Sequence, residues 1–280
     1  MAVFLAACSA IIYGIADYCG GRATRHGTSA AVTFNGQAAS LVMLLVLVPL
    51  SGVAPPPASD WGWGLLAGLA GGGGLLAFYR AMASGAMTVT APITATVSAV
   101  IPVVFGLGQG ERPGALAVIG IVIAILAVGL VSTSTGARHV NASLKMIMMS
   151  VVSGCGFGFI FVLLSHTSSD AGFWPLLAMR FASVPTVAIV ALTTKRSLAI
   201  PQGVAAITLA SGVLDTASNG LYLLATRHGL LTVVAVVTAL YPISTVVLAT
   251  SLDEERLSRS HIVGMMAALA ALVMVSLSRT

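Results

Sequence analysis

The sequence is poor in charge. Only 8% of its 280 residues are Asp, Glu, Lys or Arg, against about a quarter in an ordinary soluble domain. So few charges cannot cover a fold in water. With 58% hydrophobic residues and a mean hydropathy of +1.02, the surrounding solvent has to be lipid. Cysteine is scarce as well. Cys8, Cys19 and Cys155 all lie inside apolar runs, without the paired spacing of a metal site or a disulfide framework. His26, His139, His166, His228 and His261 fall in gaps or at span ends and show no metal-ligand spacing. No Gly-Lys-Ser/Thr phosphate loop is present, which excludes nucleotide hydrolysis by this chain. No nucleophile, base and metal set converges, so the sequence predicts neither an enzyme nor a need for cofactor or metal. The net charge of +5 is not a nucleic-acid footprint either. Of the 13 Lys and Arg, 12 lie in or beside the gaps between apolar runs, where a nucleic-acid binder would cluster them on one face.

What is abundant is long apolar sequence. A membrane-crossing helix needs about 20 mostly apolar residues. Such runs occupy approximately 2–21, 30–50, 61–83, 88–108, 114–133, 143–165, 172–192, 203–226, 230–250 and 260–278. Turn chemistry separates them, as in Gly20-Gly21-Arg22, Pro55-Pro56-Pro57 and Gly110-Glu111-Arg112-Pro113. The fold class predicted is an all-α polytopic membrane protein of ten transmembrane helices, with the lipid bilayer as its permanent partner.

The ten runs repeat as five and five. Gly110-Glu111-Arg112 before the fifth run recurs 144 residues later as Glu254-Glu255-Arg256 before the tenth. Gly85 and Gly229, Thr88 and Thr232, and Gly120 and Gly264 share that offset, and Gln37 to Ser40 line up with Arg180 to Ser183 at 143. The predicted units are 1–136 and 142–280. Because five is odd, the second unit enters the membrane from the opposite side, giving an inverted repeat. Such repeats are a common plan of secondary transporters, with the binding site between the halves near the bilayer midplane. Orientation follows from the basic residues. The gaps after runs one, three, five, seven and nine hold nine Lys or Arg and the other side holds three, which favours both termini outside.

Polar side chains within spans are costly in lipid and should point into the bundle. In run eight, Thr208, Ser211, Asp215, Asn219, Tyr222 and Thr226 recur every three or four residues, on one helical face. Ser9, Tyr13 and Asp17 form a shorter stripe in run one, Thr33, Gln37 and Ser40 in run two, Thr90, Thr94 and Ser98 in run four, and Thr238, Tyr241 and Thr245 in run nine. For the hydroxyls, helix–helix hydrogen bonding is the alternative to a binding role. Asp17, near a helix end, has Arg22 and Arg25 as ready partners. Arg180, deep in run seven, either grips a substrate carboxylate or neutralises Asp215. The candidate cavity residues are Tyr13, Gln37, Thr94, Ser98, Arg180, Asp215, Asn219, Tyr222, Thr238 and Tyr241. Runs five and ten have no polar side chain from Val118 to Val131 or from Ile262 to Val275, so they are expected at the periphery. Pro92, Pro102, Pro175, Pro185 and Pro242 lie within spans and mark kinks.

Several segments carry a family resemblance. They are Tyr13-Gly14, Phe78-Tyr79-Arg80-Ala81-Met82, Gly110-Glu111-Arg112-Pro113 with Gly120 and Gly129 behind it, and Tyr241-Pro242 ahead of Glu255-Arg256-Leu257. In order and spacing they resemble the EamA family of the drug/metabolite transporter superfamily, over essentially the whole chain. Two features depart from the family pattern: Tyr13 stands where Trp is usual, and 51–60 carries no basic residue. Within the family the chain is most similar to amino-acid exporters of the YddG type. That resemblance implies a central cavity, export of aromatic and other neutral amino acids or similar small metabolites across the cell inner membrane, and no cofactor. It also adds Tyr79 to the candidates. Other readings are a sugar-phosphate or nucleotide-sugar permease, which would want several converging in-span Lys or Arg, and a non-transporting membrane assembly protein. Monomer and homodimer are both open.

Overall fold

The structure is a computed structural model that describes residues 1–82, 87–132, 144–200, 202–252 and 259–278, without the side chains of 76, 79–82, 87–92, 131–132 and 249. The first unit contributes α1 (Ala2–Thr24), α2 (Ser29–Leu50), α3 (Ala58–Met82), α4 (Met87–Gly108) and α5 (Ala115–Ser132). The second contributes α6 (Leu144–Ser165), α7 (Trp174–Thr193), α8 (Ala205–Thr226), α9 (Leu231–Thr238), α10 (Pro242–Leu252) and α11 (Arg259–Leu277), with one 3₁₀ turn at Ser169–Ala171. At about 1.5 Å per residue, the 23 residues of α1 reach across a hydrocarbon core of roughly 30 Å. Length and hydropathy alone mark six spans, at Ala2–Thr24, Ser29–Leu50, Leu144–Ser165, Trp174–Thr193, Leu231–Leu252 and Arg259–Leu277. α8 is as long as these, but its polar stripe lowers its hydropathy.

The expected ten spans are present, and one of them is broken. α9 and α10 together make the ninth, interrupted at Ala239, Leu240 and Tyr241 ahead of Pro242. Proline has no N–H to give and its ring crowds the preceding turn, so a helix stops or kinks there. All eight residues of α9 are buried, which makes it the innermost element among those described.

The packing carries the inverted symmetry. α1 lies along α8, and its counterpart in the second unit, α6, lies along α3, the counterpart of α8. α4 packs on α6, and α9 with α10 packs on α1 in the same relation. α5 and α11 pack on each other through Ile121, Ala124, Val128, Ala268, Ala271 and Val275. Their other faces, with Ile119, Val122 and Leu126 on one and Val263, Met266 and Leu269 on the other, are exposed apolar surface. In a chain this hydrophobic such a face meets lipid, which is the peripheral place expected of runs five and ten.

Small residues set the closest crossings. A Cβ on Gly212 of α8 would stand 1.8 Å from the carbonyl oxygen of Gly36 on α2, so only glycine permits that approach. Ser40 Oγ seals the same crossing by donating to the Gly212 carbonyl. In the Gly71 to Gly74 run, Gly74 meets Gly156 of α6 backbone to backbone, while nothing lies within 4 Å of a Cβ at Gly73.

Candidate functional site

The stripe Ser9, Tyr13, Asp17 on α1 faces α8 and the broken span. At one end, Ser9 Oγ donates to the Ser218 carbonyl of α8 at 2.8 Å, and Ser218 Oγ returns a bond to the Ser9 carbonyl at 3.0 Å. One turn on, the Tyr13 ring meets the Tyr241 ring at 4.9 Å between centroids, tilted by 41°. Tyr241 reaches this position because the chain breaks there. Ser244 and Thr245 then dock α10 on α1 by donating to the Ala10 and Gly14 carbonyls at 3.2 and 3.1 Å. A further turn along α1 stands Asp17, whose side chain is exposed.

Asp215 is held by Arg180. One guanidinium nitrogen of Arg180 donates to Asp215 Oδ2, and the same nitrogen and Nε reach Thr216 Oγ1 at 2.9 and 3.3 Å. The Arg180 side chain is 3% exposed and that of Asp215 is 29% exposed, so the carboxylate faces the open space and the guanidinium lies behind it. Of the two roles open to Arg180, this arrangement is the neutralising one. Asn219 Nδ2 donates to the Asp215 carbonyl at 2.8 Å. Tyr13, Asp17, Arg180, Asp215 and Tyr241 therefore form one electrostatically linked group, drawn from both units.

The other candidates lie elsewhere. Tyr222 is fully buried, its hydroxyl donating to the Phe161 carbonyl of α6 at 2.8 Å and its ring 4.6 Å from that of Phe161. Thr94 donates to the Ser150 carbonyl at 3.1 Å and Ser98 to the Ala95 carbonyl at 2.9 Å, both at buried positions. The Gln37 Oε1 and the Thr238 Oγ1 are buried without a hydrogen-bond partner among the described residues. The side chain of Tyr79 lies outside the described residues.

Asp17 forms no ion pair or hydrogen bond among the described residues, although Arg22 and Arg25 follow it closely. Arg22 instead donates to the Tyr18 hydroxyl at 2.9 Å.

A second set of contacts laces the loops at the membrane side of the termini. Glu111, from the connection between α4 and α5, takes the free amides of Leu231 and Thr232 at 2.7 and 2.9 Å, capping α9 from the other unit. A helix start has unsatisfied N–H groups and partial positive charge, so a carboxylate there is doubly favoured. The local sequence permits this: Gly110 turns with φ of 91°, and a Cβ at Gly106 would collide with the Glu111 carboxylate at 2.6 Å. Asp60 of α3 accepts from the Ser168 amide at 2.8 Å and from its hydroxyl. Arg227 donates to the Gly172 carbonyl at 3.0 Å. Burial lowers the Arg227 pKa, and the nearby Asp170 and Asp60 pull against that. Trp174 Nε1 donates to the Val53 carbonyl at 3.0 Å. The repeat marks Glu111 as a motif residue but does not reveal this role; Glu255, its counterpart, lies outside the described residues.

Ten spans in two inverted halves make this a polytopic helical membrane protein, with a charged and aromatic group where the halves meet. Sequence comparison identifies it further. The model of the EamA-like transporter family matches residues 1–133 and again 144–277, so the chain belongs to that family and is built from two copies of its unit. No curated protein matches the sequence. A solved crystal structure of a protein shares 14% identity and a TM-score of 0.74, over 99% of this chain and 98% of that one, which supports the fold alone.

Proposed function

We propose that this transporter exports aromatic and other neutral amino acids, or similar small metabolites, across the inner membrane by alternating access. The units 1–136 and 142–280 would rock about the central group, acting as a monomer or homodimer. The observation that carries the reading is the position of that group. Tyr13 comes from the first unit, Arg180, Asp215 and Tyr241 from the second, and water reaches the carboxylates between them. The side of the termini is laced by Glu111, Asp60 and Trp174, while Asp17 is open toward the other side. The bias of nine basic residues against three favours a cytoplasmic place for that other side, from which this conformer would then load. The pairing of Arg180 with Asp215 leaves no free in-span cation among the described side chains for a sugar phosphate.

The test is counterflow in liposomes loaded with labelled phenylalanine, leucine and a broader metabolite panel. Flux of a neutral amino acid is expected, and no flux across the whole panel ends the reading. In the same vesicles, a cysteine at position 55 should label from outside and one at 197 only after permeabilisation.

A further inference from the structure

Building on the transport reading above, we propose that Asp17 anchors a protonated amine, so that the transported molecule is recognised by its ammonium group and not by a carboxylate. The first argument is charge. Arg180 is the only basic residue deep in a span, and its guanidinium is turned toward Asp215 and Thr216 behind a 3% exposed side chain. Its Nε and one terminal nitrogen are taken, and little of the side chain is exposed to an incoming carboxylate. When Asp17 is ionised, it, Asp215 and Arg180 leave the group one negative charge in excess, and a carboxylate entering there meets repulsion.

The second argument is the state of Asp17. It is exposed, and among the described residues no hydrogen bond or ion pair reaches it, while Arg22 is engaged with the Tyr18 hydroxyl. A carboxylate within a membrane span is costly and is kept where it has a partner or a task. No described residue is that partner, which leaves a place for a cation arriving with the transported molecule.

The third argument is what surrounds it. Tyr13 lies one turn before Asp17 on the same face of α1, and the Tyr13 and Tyr241 rings stand together at 4.9 Å. Aromatic faces attract ammonium groups, more strongly when water is excluded. An open carboxylate beside paired rings suits an amine attached to a flat or apolar body.

Three probes of similar size separate the chemistries: tyramine (amine only), phenylalanine (both groups) and 3-phenylpropionate (carboxylate only). Binding is measured as a thermal shift of the purified full chain in detergent, and transport as competition for flux in liposomes. Tyramine and phenylalanine are expected to bind, with 3-phenylpropionate weaker by about tenfold or more, the scale of one lost charge contact. Asp17→Asn should fold normally and lose tyramine binding by a similar factor, while Asp17→Glu retains part of it. Tyramine binding that is absent in the wild type, or unchanged in Asp17→Asn, overturns the proposal. Flux that prefers 3-phenylpropionate also overturns it while leaving transport standing. Tyramine binding that depends on Asp17 without flux of any probe supports the anchor and counts against export.

Discussion

The two ends of the bundle are held in different ways. At the side of the termini, carboxylates and an indole bind backbone groups across the repeat boundary: Glu111 caps α9, Asp60 holds Ser168, and Trp174 reaches Val53. At the opposite side the described cross-links are lighter. Thr28 donates to the Ser197 carbonyl at 3.1 Å and Asn35 to the Leu198 carbonyl at 2.9 Å, both neutral contacts. Hydrogen bonds with a charged partner contribute about 1.5–3 kcal/mol, neutral ones about 0.5–1.5. At the side of the termini, fixed backbone donors meet charged acceptors, whereas the described contacts opposite are neutral. Between the two ends stands the Arg180–Asp215 pair, which belongs to neither.

Three substitutions grade this contrast. The largest effect on stability is expected from Arg180→Ala, which strands the Asp215 charge inside the bundle. The cost is about 3 kcal/mol, the low end for a broken buried pair because Asp215 is partly wetted. Unfolding in detergent measures it, and the double change Arg180→Met with Asp215→Leu should restore most of the loss. A wild-type unfolding midpoint for the single variant would mean that the pair does not support the fold. Next comes Glu111→Gln, which keeps one acceptor but loses the charge at the start of α9. A loss of about 1–2 kcal/mol is expected, seen as roughly tenfold faster hydrogen exchange at the Leu231 and Thr232 amides. The smallest is Thr28→Ala at the lighter end, which removes the α2 cap on Ala31 N and the bond to Ser197. About 0.5–1 kcal/mol is expected. If Thr28→Ala proved costlier than Glu111→Gln, the ranking of the two ends would be reversed.

Much of the fold was legible because apolar run length is itself the physical requirement for crossing a bilayer. The ten spans, the inverted halves and the lipid-facing place of α5 and α11 all follow from it. The break at Ala239 to Tyr241 was less visible: Pro242 announced a kink, but not that a tyrosine would be delivered to α1. Arg180 and Asp215 were identifiable as partners because two opposite charges deep in apolar runs have few alternatives. Tyr222 shows the limit of spacing. A stripe on α8 fixes which residues share a face, but a wide face meets more than one neighbour, and Tyr222 meets Phe161. Asp17 was read with Arg22 or Arg25, five and eight residues along the chain, because local pairs are what a sequence displays. The Glu111 cap joins residues 120 apart, a relation set by tertiary packing alone.

The contact of Gly36 with Gly212 has a mechanical consequence. With no clearance for a methyl group, α2 and α8 cannot slide along each other without backbone striking backbone. What such a crossing does allow is rotation about the point of contact, as in a pair of scissors. Points near the rivet then travel little and the helix ends travel far. Asp215 sits one turn from the rivet, so a rotation about it would leave the charged pair nearly in place while the loops swing.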